Sequence, residues 1–279
     1  VSYSGLIADG ADVLFGHFET SRVGKARFYI DRLDLSAQPK LAAKVNVPGS
    51  LLHYDRAHSR ALTSQLNRVE VAGVSPEACY ARFSYSIFDY PSNWDGNTAI
   101  TGKCTGFTQT LHLVQITGTE AKLEGSYPLA ERERISSSSY SEGRVAAVIS
   151  RGDSVWGYGR GIVDGACWGG CFWGSTVGEA VDLLTLGGFD SGVLASGRLS
   201  VRNDPNAWWG WWGAPPVYLS GARALVQGTT DAAIVDVSNV TAPALVRRVP
   251  LYGQAYNITG SGNIVLLPLY SIGVQRIDL

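Results

Sequence analysis

The stretch "IVDVSNVTAPALVRRVPL", residues 234–251, shows the pattern on which the predicted fold rests. An apolar, β-branched run ends at Asp236, a turn containing Ser238 and Pro243 follows, and a second segment, "ALVRRVPL", completes the unit. Alternating Val, Ile and Leu favour strands, whereas Ser, Asn and Pro favour tight turns. The stretch therefore predicts two strands joined by a turn.

The same order of strand, turn and strand recurs along the chain. The stretch "LDLSAQPKLAAKVNVPGS", residues 33–50, has Asp34, Ser36 and a proline at the matching places. Two further copies begin at Thr110 and Glu179, where glycines replace the Ser region and the proline is absent. The strands "AAIVDVS" and "IGVQRIDL" lie about 41 residues apart, which is close to the period of a four-stranded propeller blade.

We therefore expect an all-β fold, a β-propeller of four-stranded antiparallel blades in a single domain. An orphan strand pair at about 6–35 precedes four blades at about 40–117, 122–186, 193–238 and 244–279. Because the first blade lacks two strands, the chain is expected to be the C-terminal portion of a longer propeller. Another chain or segment would complete the ring. A β-sandwich with irregular loops is the alternative.

The two clearest copies, at 33–50 and 234–251, resemble the Asp-x-Ser and Pro signature of LVIVD-type repeats. They are also similar to secreted bacterial β-propeller-domain proteins that are built on related units. The resemblance covers most of the chain outside its long insertions. It implies a propeller fold and an extracytoplasmic location, secreted or associated with the cell surface or outer envelope. It brings no catalytic residues, because the family is defined by its blades.

The composition argues against two classes of partner. Basic and acidic residues are balanced, 23 against 24, so the chain lacks the basic surface that binds nucleic acid. No apolar run is long enough to span a membrane as a helix. The sequence contains no Met, and Val1 is therefore expected to arise by processing or trimming.

Three connections are much longer than the others, at 66–109, 151–178 and 202–214. Strand alternation within the blades predicts that all three emerge on one face. Trp rings supply large, rigid contact area at binding surfaces. The insertions therefore predict a binding face, and a private hydrophobic core beneath the loops is the alternative. All eight tryptophans lie in these insertions: Trp94, Trp156, Trp168, Trp173, Trp208, Trp209, Trp211 and Trp212.

The four cysteines also lie in the insertions. Cys79 and Cys104 are expected to close the first insertion with a disulfide, and Cys167 and Cys171 to staple a turn around a Gly-Gly pair in the second. Two disulfides fit an exported protein, and four unrelated buried thiols are the alternative. A redox or zinc site is disfavoured, because the sequence has no Cys-x-x-Cys pair.

One candidate metal site lies in the first insertion. Asp89, Asn93, Asp95 and Asn97 offer oxygen ligands of the kind that suits calcium. Their spacing is not that of an EF-hand, and an ordinary Asx-rich turn is the alternative. No other cofactor is expected.

These features predict a non-catalytic, exported β-propeller that acts as a protein- or glycan-binding or scaffold subunit through its Trp-rich face. One alternative is a glycan-active hydrolase or lyase that uses acids near that face, with Asp153, Asp164, Glu179 and Asp182 as candidates. The other is a purely structural subunit of an envelope assembly, whose insertions are buried against a neighbour.

Overall fold

The computed structural model of the chain consists of β-strands and turns, and no helix occurs among the residues that it describes. Every described register is antiparallel, and several sheets have four strands each. The predicted all-β class is confirmed. The structure describes residues 2–9, 11–20, 26–70, 105–130, 133–151, 154–157, 162–163, 166–167, 171–174, 181–202, 216–228, 230–253, 255, 257–269 and 272–279.

The chain divides into two compact units. Unit 1 comprises Val1–Glu133 and Gly152–Gly174, and unit 2 comprises Arg134–Arg151 and Ser175–Leu279.

The first sheet lies in unit 1 and contains four strands that pair in chain order. These are β1 (Ser2–Asp9), β2 (Asp12–Thr20), β3 (Ala26–Asp34) and β4 (Lys40–Val47). Successive side chains of a strand point to opposite faces, so every second residue of this sheet faces the same way. The alternation of apolar and polar residues in the sequence thus gives the sheet one apolar face.

The second sheet, also in unit 1, has the same order. Its strands are β5 (Ser50–Asp55), β6 (Arg60–Glu70), β7 (Thr105–Thr117) and β8 (Glu120–Pro128). The central strands β6 and β7 are longer than their neighbours and continue as a two-stranded ribbon beyond the ends of β5 and β8.

The two sheets of unit 1 pack their apolar faces together, and we call this contact the first interface. Fully burying an aliphatic side chain stabilises a fold by about 1.5–3 kcal/mol, so this core is a main source of stability for unit 1. Its buried residues include Leu14, Ile30 and Val45 from the first sheet and Leu51, Ala61 and Val114 from the second.

Unit 2 begins with the hairpin of β9 (Glu133–Ser141) and β10 (Arg144–Arg151). Four short strands of unit 1 come next in the chain and form two separate antiparallel pairs. They are β11 (Ser154–Gly157), β12 (Ile162–Val163), β13 (Ala166–Cys167) and β14 (Cys171–Gly174), with β11 pairing β14 and β12 pairing β13.

The third sheet is completed by β15 (Val181–Gly187) and β16 (Ala195–Arg202), in the order β9, β10, β15, β16. Its central strands are almost wholly apolar. Val148 and Leu183, for example, are opposite each other and fully buried. Such continuous apolar runs are typical of strands that are covered on both faces.

The fourth sheet consists of β17 (Val217–Ser220), β18 (Arg223–Gln227), β19 (Asp231–Asp236) and β20 (Ala244–Pro250). It packs against the third sheet, and we call this contact the second interface. The core of this interface includes Ala146, Leu183 and Val201 from the third sheet and Val217, Leu219, Ala233 and Val235 from the fourth.

The last sheet has three strands among the described residues: β21 (Thr259–Ser261), β22 (Ile264–Leu269) and β23 (Gly273–Asp278). One of its faces, with Val265 and Leu267, is buried against Leu225 and Ile234 of the fourth sheet.

The sheets divide the strands differently from the predicted blades. The prediction opens a new blade at Lys40, whereas β4 pairs with β3 and places Lys40 opposite Asp34. The reason is the tight turn that follows β3, in which the backbone N–H of Ser36 donates to Asp34 Oδ1 at 2.9 Å and turns the chain back alongside β3. The region at about 6–35 therefore belongs to a complete four-stranded sheet rather than to an orphan pair.

Candidate functional site

The second and third insertions leave the third sheet at the same end. Strand β10 ends at Arg151, and Val181, the first residue of β15, is opposite Arg202, the last residue of β16. Asp182 follows Val181 and is opposite Ile149. The second and third insertions, which hold most of the tryptophans, therefore begin or end at the same end of the third sheet.

The first insertion leaves the second sheet at the tip of the β6–β7 ribbon. Glu70 and Thr105 are opposite each other, so the insertion covers 71–104 rather than the predicted 66–109. Like the second insertion, it joins the second and third strands of a sheet. In a sheet of consecutive antiparallel strands, the connection between the second and third strands lies at the same end as the segment that follows the fourth strand.

The second insertion contains the two strand pairs β11–β14 and β12–β13. Trp173 is opposite Val155, and Cys171 is opposite Gly157. Cys167 is opposite Ile162, and Ala166 is opposite Val163. Cys167 ends β13 and Cys171 begins β14, so the two cysteines belong to different strand pairs.

Most of the predicted site residues lie outside the described residues, and the side chains of Trp156, Cys167, Cys171 and Trp173 lie outside the described side chains. The Trp face, the two disulfides and the calcium site remain predictions. Among the described residues, no group of three or more His, Cys, Asp or Glu side chains is placed to hold a metal ion. The residues outside the description are Trp94, Trp168, Trp208, Trp209, Trp211, Trp212, Cys79, Cys104, Asp89, Asn93, Asp95 and Asn97, with the acids Asp153, Asp164 and Glu179.

A site that the sequence reasoning missed lies in unit 1, at one end of the first interface. It is a cavity of about 350 Å³ between the face of the first sheet and two turns of the second. The turns are the β5–β6 turn, with Ala57 and His58, and the β7–β8 turn, with Thr117 and Gly118. This volume is at the small end of the range of about 300–1,000 Å³ that is usual for ligand sites.

The floor of the cavity is formed by adjacent rows of the first sheet. In one row Leu14, Arg32 and Ala43 are opposite one another on β2, β3 and β4. In the next row Ile30 is opposite Val45, and both side chains line the cavity. Arg32 is thus a charged residue at a position where the strand pattern places an apolar side chain.

The guanidinium of Arg32 is held by Asp12 through two hydrogen bonds. Its Nε donates to Oδ1 at 3.1 Å and its Nη2 to Oδ2 at 2.9 Å. Asp12 is buried, and Arg56 also reaches it, with Nη2 at 3.4 Å from Oδ2. The hydrogen bond to Asp12 is the main reason why the pKa of Arg32 is raised above its usual value. Two cations therefore share one carboxylate beside the cavity.

His58 lies on the other side of the cavity, in the β5–β6 turn. Its Nδ1 is 2.8 Å from Oδ2 of Asp55, a buried carboxylate, and its backbone N–H also points to Asp55. This contact fixes the imidazole ring at the rim. No carboxylate is among the described residues that line the cavity.

The corresponding place in the second interface is filled. Thr185 on β15 is opposite Gly197 on β16, as Arg32 is opposite Ala43. The Thr185 hydroxyl donates to the carbonyl oxygen of Val240 at 2.6 Å. Val240 belongs to the long β19–β20 connection, which covers this end of the interface.

The chain matches no family model, and no curated protein sequence matches it. The similarity to LVIVD-type repeats therefore remains a prediction. The described residues include no helix that is both long and apolar enough to cross a membrane.

Proposed function

We propose that this chain is a non-catalytic β-propeller, exported to the cell surface or envelope, that binds a protein or a glycan through its Trp-rich insertions. Three features support a propeller. The four-stranded sheets are antiparallel and use strands that are consecutive in the chain, except that β11–β14 separate β10 from β15 in the third sheet. Adjacent sheets pack face to face within each unit, and the connections are short except at the insertions. A further strand or sheet, from another chain or segment, would complete the ring.

The observation that carries the binding role is the shared departure point of the second and third insertions, at Arg151, Val181 and Arg202. These two insertions contain every tryptophan except Trp94. Insertions that depart from one end of a rigid sheet can present aromatic residues with little conformational entropy to lose on binding. Loops positioned by a rigid scaffold are also where binding residues are most often found.

Intrinsic fluorescence tests whether these rings face solvent, because all eight tryptophans lie in the insertions. We expect acrylamide to quench a large part of the native emission, as it does for exposed indole rings. Emission that is quenched only after unfolding would show that the rings form a private core, and it would contradict the proposal.

A second test addresses the ligand directly. Trp208, Trp209, Trp211 and Trp212 are replaced together by Ala, and binding is measured on an array of defined glycans and by cross-linking in the native envelope. We expect the wild-type chain to retain a ligand that the variant loses. Tyr252→Ala is the matched control, because Tyr252 is an exposed aromatic residue outside the insertions. Equal retention by wild type and variant, or release of sugar products, would contradict this function.

A further inference from the structure

We propose that the open edge of β23, in the last sheet, binds an extended segment of another polypeptide, which adds to the sheet as an antiparallel fourth strand. The inference deepens the proposed function and rests on it, because it names the edge at which the completing strand of that proposal would add. The strand lies in unit 2, and none of the tryptophans belongs to it.

Strand β23 corresponds to the third strands of the first and fourth sheets. In each of these three sheets, the residue after the third strand donates its backbone N–H to a carbonyl oxygen in the turn between the first two strands. The donor and acceptor pairs are Leu35 with Ala11 at 2.7 Å, Val237 with Ala222 at 2.9 Å, and Leu279 with Asn263 at 2.9 Å. Asp278 therefore corresponds to Asp34 and Asp236. In the first and fourth sheets a fourth strand pairs with this third strand, whereas no described strand pairs with the free edge of β23.

The free edge of β23 presents backbone groups to solvent. Because the N–H of Leu279 faces β22, alternation along the strand directs the backbone groups of Val274, Arg276 and Asp278 to the other side. The carbonyl oxygen of Asp278 accepts from Arg247 Nη2 at 2.7 Å. Val274 and Arg276 each offer an N–H donor and a carbonyl acceptor to an added strand, as a sheet edge does in strand addition.

The fourth strands of the complete sheets are less suited to such addition. The pairing of each with its third strand is interrupted by a register shift, next to Arg32, Leu113, Val181 and Ile234. Bulges, lysines and prolines on edge strands protect them from further pairing. The register of β22 and β23 has no shift, and Arg276 and Asp278 of β23 pair with each other at 2.9 Å. The edge of β23 therefore lacks the protection that the fourth strands have.

The side chains of β23 favour a strand of the β4 kind. In the first sheet, β4 places Val45 and Lys40 opposite the positions that correspond to Val274 and Asp278. Cross-strand pairs of two apolar residues or of opposite charges stabilise a sheet. Val274 is 64 % exposed and shares its face with Leu266, which is also exposed, so an apolar neighbour would remove both from water.

A strand of the β20 kind fits this edge less well. In the fourth sheet, β20 places Arg247 opposite the position that corresponds to Arg276. Two like charges directly opposite each other destabilise a strand pair. The expected occupant is therefore an extended segment in which a basic residue is followed by alternating apolar residues.

The test uses two synthetic peptides, KLAAKVNV (residues 40–47) and ALVRRVPL (residues 244–251). Binding to the full chain is measured by calorimetry. We expect KLAAKVNV to bind at one site and ALVRRVPL to bind about two- to fivefold more weakly, because of the like-charged pair at Arg276. Bound KLAAKVNV should also slow amide hydrogen exchange at Val274 and Arg276.

Variants of β23 locate the site. Val274→Pro removes an outward N–H and is tolerated at a sheet edge, so it should weaken KLAAKVNV binding about tenfold or more. Val274→Thr is the matched control, because it keeps the amide and the branched shape, and binding should stay within about threefold of wild type. Asp278→Lys should weaken KLAAKVNV about two- to fivefold and leave ALVRRVPL unchanged, because ALVRRVPL places an alanine at that position.

The proposal is overturned if KLAAKVNV does not bind, if the two peptides bind equally, or if Val274→Pro leaves binding intact. Self-association of the chain that Val274→Pro abolishes, measured by sedimentation, would make a second copy the occupant and would also overturn it. The Asp278 variant keeps the test decisive where Val274→Pro unfolds the chain. The variant with four tryptophans replaced by Ala should bind KLAAKVNV as wild type does, so a failure of strand addition is distinguished from a failure of the Trp-rich insertions.

Discussion

The two sheet interfaces of this protein are built alike but end differently. Each brings together two four-stranded antiparallel sheets, and in each a residue pair near the end of the third and fourth strands faces the neighbouring sheet. In the second interface this pair is Thr185 and Gly197, and the long β19–β20 connection covers it. In the first it is Arg32 and Ala43, which line a cavity. Among the described residues, the end of the second interface is thus filled by a connection, and the end of the first leaves a cavity.

The chemistry of the two pairs follows from that difference. A residue beneath a packed connection must be small or must satisfy its polar atoms internally, and Gly197 and Thr185 do so. A residue at an open end can carry a charge, because solvent and a neighbouring carboxylate stabilise it, and Arg32 does so. The side chains at these positions therefore indicate from the sequence whether the space above them is occupied.

The largest effect is expected for Gly197→Ala. A Cβ atom at this position would lie 2.7 Å from the carbonyl carbon of Thr241 and 2.8 Å from Pro243, closer than real contacts allow. We expect the free energy of unfolding to fall by about 1–3 kcal/mol, as it does for overpacked cores. Urea unfolding followed by far-UV circular dichroism measures it.

The matched substitution in the first interface is Ala43→Leu. Because Ala43 faces the cavity, the larger side chain should change the free energy of unfolding by less than about 1 kcal/mol. If Ala43→Leu lowers the free energy of unfolding as much as Gly197→Ala does, the end of the first interface is filled like that of the second.

A somewhat smaller effect is expected for Thr185→Val. The fully buried Thr185 hydroxyl donates toward the carbonyl oxygens of Val240 and Gly197, and valine has the same shape without the donor. Leaving a buried carbonyl without its donor should lower the free energy of unfolding by about 1–2 kcal/mol. Thr117→Val, at the rim of the cavity, should stay within about 0.5 kcal/mol of wild type in the same assay, because Thr117 is exposed.

The smallest effects concern the two Asp-x-Ser turns, one after β3 and one after β19. The Ser36 hydroxyl, followed by its backbone N–H, lowers the pKa of Asp34 from 3.8 to about 2, and Ser238 lowers the pKa of Asp236 in the same way. Because the folded pKa lies below the ordinary value, the turn contributes its full stability above the ordinary pKa and loses it as the pH falls through the folded pKa. We expect Ser36→Ala to raise the pKa of Asp34 toward 3.8 and Ser238→Ala to raise that of Asp236.

Carbon-detected NMR titration of the carboxyl groups measures both pKa values. An unchanged Asp236 pKa in Ser238→Ala would contradict the hydroxyl of Ser238 as the main cause of the lowered pKa.

The sequence predicted the strands well and their partners poorly. Alternating apolar residues and the Asp-x-Ser turns located the strands that begin at Ala26, Lys40, Asp231 and Ala244. A strand pattern does not state which neighbour the strand joins, since that depends on the turn geometry and on long-range hydrogen bonds. The predicted blades therefore differ from the sheets by one strand.

The candidate site was still harder to predict. The cavity depends on the length of the Gly118–Thr119 turn and on the orientation of two sheets, neither of which a local pattern contains. Two signals were present in the sequence: the missing proline in the copy that begins at Thr110, and Arg32 two residues after Ile30 on the apolar side of β3. Together they indicate an interface end that is short of covering residues.

The comparison of the two interfaces is tested most directly by urea unfolding of Gly197→Ala and Ala43→Leu side by side with the wild type. The account predicts that Gly197→Ala lowers the free energy of unfolding by about 1–3 kcal/mol, because the added Cβ meets the connection over the second interface. It predicts that Ala43→Leu changes this free energy by less than about 1 kcal/mol, because Ala43 lines a cavity. An equal loss of stability in the two variants would contradict it.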